Sequence, residues 1–155
     1  METGLVIAVL GATLAIVGGG IGTIVGTLYV AGGGAGLVAK NPASFGSVLL
    51  TAAIPSSQGI YGFLTAILII QRLGLLDGNL ATITTEQGWT LLMAALPVAV
   101  LGLVSGVAQG RVLQSGLRII ASSAANVGRA IILGVLIESM AVFGLLVSIL
   151  IVNSI

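Results

Sequence analysis

One carboxylate in this sequence lies far from every other charged residue. Glu138 is nine residues after Arg129 and fourteen before Val152, inside an apolar segment. At about 1.5 Å per residue, this position is near the middle of a membrane-spanning helix. An ionisable group at that depth costs about 2.5 kcal/mol or more and marks a functional site by default. The alternative is a protonated Glu that simply hydrogen-bonds between helices.

Two glutamines are predicted to lie level with this carboxylate. Gln109 is nine residues before Arg118, and Gln58 is fourteen before Arg72. Taken singly, each glutamine is better explained by an interhelical hydrogen bond worth under about 2 kcal/mol. Because both converge on the depth of Glu138, we interpret them as ligands.

The segment around Gln58 adds further oxygen atoms at the same depth. The residues that share one face of a helix there, at spacings of three or four, are Ile54, Ser57, Gln58 and Tyr61. Pro55 lacks a backbone N–H, which predicts a bend. The bend also leaves the Thr51 carbonyl without its usual helical partner.

These groups supply oxygen atoms and one carboxylate, which suits a hard monovalent cation such as Na+. The sequence contains no Cys and no His, so thiol chemistry and imidazole metal sites are excluded. Divalent ions normally recruit more negative charge. One Na+ on one carboxylate makes the site neutral, which lowers the cost of carrying the ion through lipid.

The elements that position these residues are predicted to be four membrane-spanning helices. Of the 155 residues, 57% are hydrophobic and 6% are charged, more apolar than a soluble domain tolerates. A net charge of +1 without a basic run argues against a nucleic-acid partner and leaves the lipid bilayer as the surroundings. With about 20 apolar residues needed per span, the predicted helices are 4–38, 45–71, 89–117 and 128–152.

The links between the helices predict the orientation in the membrane. The basic residues that flank the first and third links are Lys40, Arg111, Arg118 and Arg129. By the positive-inside rule, loops 39–44 and 118–127 are predicted to be cytoplasmic. Both termini and the link 73–88 are then extracellular, as expected for a multi-pass plasma-membrane protein.

The sequence repeats itself at an offset of 82 residues. Segment 58–63 aligns with 140–145, so the second helix corresponds to the fourth. The first and third helices match more loosely, after a further slip. Both halves cross the membrane in the same sense, which predicts an all-α fold of two tandem hairpins, 1–72 and 89–155, related by a parallel duplication. Hairpins repeated in this way suit a ring, and the second one carries Glu138.

The first helix carries a face of small residues. At spacings of three or four, these are Gly4, Ala8, Gly11, Ala15, Gly18, Gly22 and Gly26. Helices in lipid pack through such residues because their backbones can approach closely. The face indicates either close packing within one bundle or a crowded inner wall where several copies converge.

Three segments resemble the proteolipid (K) subunit of bacterial V-type ATPases, notably the sodium-pumping ones. They are 54–63 (Ile-Pro-Ser-Ser-Gln-Gly-Ile-Tyr-Gly-Phe), 105–111 (Ser-Gly-Val-Ala-Gln-Gly-Arg) and 137–139 (Ile-Glu-Ser). The resemblance covers essentially the whole chain, with four helices built from a duplicated hairpin. One departure is Ser57, where the sodium-pumping members have Thr; the hydroxyl is retained.

The resemblance implies a role for each residue of the site. The positions that match the family's Na+ ligands are Glu138, Gln109, Gln58, Ser57 and the backbone carbonyl of Ile54. Tyr61 matches the residue whose hydroxyl orients the Glu. The bend at Pro55 frees the Thr51 carbonyl instead, so the backbone contribution differs between the two arguments. The first repeat has Ser56 where the second has Glu138, which implies one ion per four helices.

The resemblance also implies partners. Identical subunits form a homo-oligomeric ring that turns with central-stalk subunits bound at the cytoplasmic loops. A stator membrane subunit supplies an Arg at the point where the ion is exchanged. ATP is hydrolysed on other subunits, which makes this chain a non-catalytic, ion-translocating one; the sequence has no GxxxxGK[ST] phosphate loop.

Two alternatives remain at this point. The same ring could carry H+, but protons need only the Glu and leave the glutamines superfluous. A small multidrug antiporter also has four helices and one membrane Glu, but there the Glu is in the first helix among aromatic residues. Here it is in the last helix. Na+ is therefore the expected cargo, with H+ as the alternative.

Overall fold

The computed structural model describes residues 2–155, apart from the side chains of Glu2 and Ala124. Its helices are α1 (Glu2–Lys40), α2 (Phe45–Ala53), α3 (Ser56–Arg72), α4 (Thr85–Ser122) and α5 (Val127–Val152), with short 3-10 helices at Pro42–Ser44 and Ala124–Asn126. Four spans are long and apolar enough to cross a membrane: α1, α2 with α3, α4 and α5. The predicted all-α fold with four spans is confirmed.

Helix α4 is longer than predicted at both ends. It begins at Thr85, four residues early, because Thr84 and Gln87 form a capping box. The Gln87 N–H donates to the Thr84 hydroxyl at 3.2 Å, and the Thr84 N–H donates to Gln87 Oε1 at 3.0 Å. The helix ends at Ser122, five residues late. Arg111 therefore lies inside α4 rather than in a link, and its guanidinium donates to the Tyr29 hydroxyl at 3.3 Å.

The second span is broken at Ile54 and Pro55, as the missing N–H of Pro55 predicted. The Ile54 carbonyl accepts hydrogen bonds from the Ser57 backbone N–H at 3.3 Å and from the Ser57 hydroxyl at 3.1 Å. The chain therefore turns tightly at the break before α3 begins. This turn brings a backbone carbonyl and a hydroxyl to one place within the membrane-spanning part of the chain.

The end of α3 and the C-terminus of the described chain meet at one end of the bundle. Arg72 donates a hydrogen bond to the Asn153 side-chain oxygen at 3.1 Å. Near the other terminus, a side chain at Gly4 would collide with the Thr84 carbonyl, so α1 begins beside the start of α4. The prediction that both termini and the middle link share one end is therefore confirmed.

The small-residue face of α1 packs along α4 of the same chain. A methyl group on Gly11, Gly18, Gly22 or Gly26 would collide with the α4 backbone, in places at another glycine such as Gly102 or Gly106. Glycine is needed there because two helix backbones touch without side chains between them. Of the two interpretations of this face, the structure shows close packing within the bundle.

The outer helices pack on the inner ones in the same way in both hairpins. A methyl group on Gly62 would meet the Ala15 carbonyl, and one on Gly144 would meet the Pro97 carbonyl. The two glycines are 82 residues apart, and so are their partners. The offset of 82 therefore holds for the inner helices as well, and the expected further slip between them was wrong.

The α1–α4 contact yields a test of packing. Gly22→Ala should destabilise the protein by about 1–3 kcal/mol, because its new methyl group enters the Gly102 backbone. Gly20→Ala is the matched control, since nothing lies within 4 Å of that position. It should be neutral or gain up to about 1 kcal/mol from helix propensity. Thermal unfolding in detergent, followed by circular dichroism, measures the difference, and equal stability of the two variants would contradict the packing described.

Candidate ion-binding site

Two buried glutamines join three helices at one depth. Gln58 of α3 and Gln109 of α4 are both 0% exposed. The Gln58 amide nitrogen donates to Gln109 Oε1 at 3.1 Å, and the Gln109 amide nitrogen donates to the Gly134 carbonyl of α5 at 3.1 Å. The prediction that the two glutamines are level is confirmed. Because each donates a hydrogen bond, their carbonyl oxygens are fixed in direction.

The break between α2 and α3 continues this oxygen network. The Ser57 hydroxyl lies 3.1 Å from the Ile54 carbonyl and 3.3 Å from Gln58 Oε1. A hydroxyl carries one hydrogen and two lone pairs, so it donates to one of these oxygens at a time and keeps an acceptor for another group. Ile54, Ser57 and Gln58 are thus brought together as predicted.

Glu138 lies close to the middle of α5, eleven residues after its first residue, Val127, and fourteen before its last, Val152. The Tyr61 hydroxyl of α3 donates to Glu138 Oε1 at 2.9 Å. In the described part of the chain, the carboxylate is held by this tyrosine rather than by either glutamine. Tyr61 is one helical turn from Ser57, which connects the carboxylate to the oxygen network.

The carboxylate is at the outer edge of the site. Glu138 is half-buried, whereas both glutamines are fully buried. Its neighbours on α5, Leu136 and Met140, are 69% and 46% exposed. In a membrane, an ion bound here is therefore within one side chain of the lipid-facing surface, and the amides form the inner wall.

The two residues expected to shape the break act differently from each other. Thr51 is buried, and its hydroxyl donates to the Ser47 carbonyl of its own helix at 2.7 Å, away from the glutamines. Pro55 is buried at the break, and its carbonyl accepts a hydrogen bond from the Thr23 hydroxyl of α1 at 2.8 Å. The sequence analysis missed Thr23, although it is a polar residue beside the small-residue face.

The donor set suits a singly charged cation. Among the described residues, no group of three or more His, Cys, Asp or Glu side chains gathers to hold a metal ion. One carboxylate, two amide oxygens, a hydroxyl and a backbone carbonyl lie along one network instead. Oxygen ligands of this kind bind hard cations, and divalent ones normally need more carboxylates.

Four apolar spans with one carboxylate in mid-span define an ion-translocating membrane proteolipid. A comparison with protein families agrees: the model of the ATP synthase C subunit matches the chain twice, at 10–69 and 92–151. The two matches are again offset by 82 residues, one for each hairpin. The chain belongs to this ATP synthase family, the ion-translocating rotor proteolipids of rotary ATPases, and is a multi-pass membrane protein.

Two relatives match almost the whole chain. It is 36% identical to the V-type sodium ATPase subunit K of Enterococcus hirae, over 96% of this chain and 92% of that protein. It is 35% identical to the A-type ATP synthase subunit K of Methanocaldococcus jannaschii, over 94% of this chain and 61% of that protein. The chain therefore spans about three fifths of the length of the second relative.

The amide pair yields a double-mutant test. Gln109→Leu should destabilise the fold by about 1–3 kcal/mol, because it leaves the buried Gln58 amide and the Gly134 carbonyl without partners. Gln58→Leu combined with Gln109→Leu should cost less than the sum of the single changes, by about 0.5 kcal/mol or more. Gln114→Leu, at an exposed position of α4, is the control and should change stability by under about 0.5 kcal/mol. Unfolding in denaturing detergent measures all four variants, and strict additivity would show that the amides do not interact.

Proposed function

We propose that this chain is the K subunit of a V-type rotary ATPase and carries one Na+ per subunit on Glu138. The observation that carries the proposal is the half-buried carboxylate in mid-span beside a pair of fully buried, mutually bonded amides. The printed name of the Enterococcus hirae relative, a sodium ATPase subunit, supports Na+ as the cargo. Ser56 occupies the position in the first repeat that matches Glu138, which gives one carboxylate per subunit.

The proposed ligands are the oxygen atoms of the network. They are the Glu138 carboxylate, the amide oxygens of Gln109 and Gln58, the Ser57 hydroxyl and the Ile54 carbonyl. An amide oxygen has two lone pairs, so Gln109 Oε1 can accept from Gln58 and still bind an ion. Tyr61 orients the carboxylate, while Pro55 and Thr51 shape the turn that presents the Ile54 carbonyl.

Charge neutrality explains how such a site crosses lipid. A charged side chain in the middle of a bilayer costs about 2.5 kcal/mol or more. With Na+ bound, Glu138 contributes no net charge, so the loaded site can face the hydrocarbon. After release, the bare carboxylate needs a positive partner, and an Arg of the stator membrane subunit supplies it. This Arg also prevents the empty site from moving back into lipid.

The surroundings of the chain follow from the same proposal. Identical copies form a ring, with the links near Lys40 and Arg118 on the cytoplasmic side, where central-stalk subunits bind. The basic residues of these two ends favour that side by the positive-inside rule. The termini and the link between the first hairpin, 1–72, and the second, 89–155, are extracellular. The structure narrows that link to 73–84, since α4 begins at Thr85.

This chain carries the ion, and hydrolysis of ATP takes place on other subunits. Moving one elementary charge against 100 mV costs about 2.3 kcal/mol, which rotation of the ring must supply. A proton-carrying ring would use the Tyr61–Glu138 pair alone. Two fully buried amides would then contribute nothing to transport, and for this reason we favour Na+.

Carbodiimide labelling tests the proposed cargo. These reagents attack the protonated carboxyl, so bound Na+ should protect Glu138 and slow its labelling as Na+ rises at fixed pH. Raising the pH should slow labelling too, because fewer carboxyls are protonated. Mass spectrometry of the Glu138 peptide measures the rate, with choline chloride matching the ionic strength. Equal labelling with and without Na+, at a pH where the carboxyl is partly protonated, would show that the transported ion is a proton.

A further inference from the structure

A threonine of α1 connects the first helix to the break in the second span. The Thr23 hydroxyl donates to the Pro55 carbonyl at 2.8 Å and accepts from the Gly59 backbone N–H at 2.9 Å. These two backbone groups are four residues apart, which is the spacing of partners in one α-helical turn. A hydroxyl bonded to both is inserted into the first turn of α3, and such insertions are a recognised cause of helix kinks.

The packing around this hydroxyl leaves it little freedom. A methyl group on Gly59 would come within 2.9 Å of Thr23 Oγ1. One turn earlier on α1, a methyl group on Gly19 would collide with the Gln58 carbonyl. The backbones of α1 and α3 therefore lie in close contact beside Thr23, and its hydroxyl is held at a fixed height against α3.

The bridged turn is the part of the chain that carries most of the proposed ligands. Pro55 follows directly after Ile54, and Ser57 and Gln58 lie between the two groups that Thr23 bonds. Any change in the opening of this turn moves a carbonyl, a hydroxyl and an amide together. Glu138 belongs to α5 and is not part of the turn.

We propose that Thr23 is a positioning residue for the ion site, which sets Na+ affinity by fixing the break between α2 and α3. This inference rests on the proposed function, since it assumes that Na+ binds there. Thr23 does not touch the ion; it acts through Pro55 and Gly59. Binding of a proton needs the carboxylate alone, so Thr23 affects Na+ binding and leaves protonation of Glu138 unchanged.

The test compares three variants in the purified, assembled protein. Thr23→Val keeps the shape and removes the hydroxyl, and Thr23→Ser keeps the hydroxyl. Thr27→Val is the matched control: it is one turn further along α1, and its buried hydroxyl has no hydrogen-bond partner among the described residues. The readouts are the Na+ concentration that halves labelling of Glu138, and the pH dependence of labelling without Na+.

Thr23→Val should raise the half-protecting Na+ concentration by about three- to tenfold, the effect of losing one hydrogen bond at each end of the turn. Thr23→Ser and Thr27→Val should stay within about twofold of the unmodified protein. All variants should keep the same pH dependence without Na+. If Thr23→Val does not assemble, Thr23→Ala and Thr23→Ser, which differ by one oxygen, replace the comparison.

Three results would overturn the inference. Unchanged Na+ protection in Thr23→Val would remove the positioning role while the proposed function stands. A shift in the Na+-free pH dependence, or an equal loss in Thr27→Val, would show a general structural effect instead. Absence of Na+ protection in the unmodified protein would contradict the proposed function itself, and the role of Thr23 with it.

Discussion

A single carboxylate within a membrane span is the constraint on which the rest of the structure depends. Glu138 cannot face lipid as a bare charge at low cost, so every arrangement around it must supply neutralisation. The Tyr61 hydroxyl orients the carboxylate, and the buried pair of Gln58 and Gln109 provides oxygen atoms without adding charge. The close α1–α4 contact through glycines then holds the inner helices near enough for α3 and α5 to meet over this layer.

The two prolines in mid-span, Pro55 and Pro97, each have a neighbouring backbone group bonded by a hydroxyl from an adjacent helix. Pro55 breaks the second span, and Thr23 bonds both ends of the turn that follows. Pro97 lies inside α4 without breaking it, and the next N–H, of Val98, donates to the Ser148 hydroxyl of α5 at 3.2 Å. Backbone groups freed by proline have no water to bond in a membrane, so a hydroxyl on an adjacent helix takes that place. The duplicated hairpins differ here, and the broken one is the one that contributes a backbone carbonyl to the proposed site.

Much of this architecture could be predicted from the sequence, because apolar spans and the depth of polar residues follow from counting along a helix. Gln58 and Gln109 were placed level in this way, and their bond confirms it. The start of α4 was missed, although the Thr84 capping box is a signal in the sequence. The role of Thr23 could not be predicted, since the direction of its hydroxyl depends on how closely α1 and α3 pack. The bonding of Glu138 to Tyr61 rather than to an amide was implied by family resemblance and not by spacing.

The most direct test of the central claim is equilibrium binding of radioactive Na+ to the purified assembly. We predict one Na+ per chain, displaced as the pH falls, and none in Glu138→Gln, which keeps the shape and removes the charge. Asp77→Asn, in the exposed link after α3, is the control and should bind Na+ as the unmodified protein does. Na+ binding that persists in Glu138→Gln, or no binding to the unmodified protein at any pH, would contradict the account.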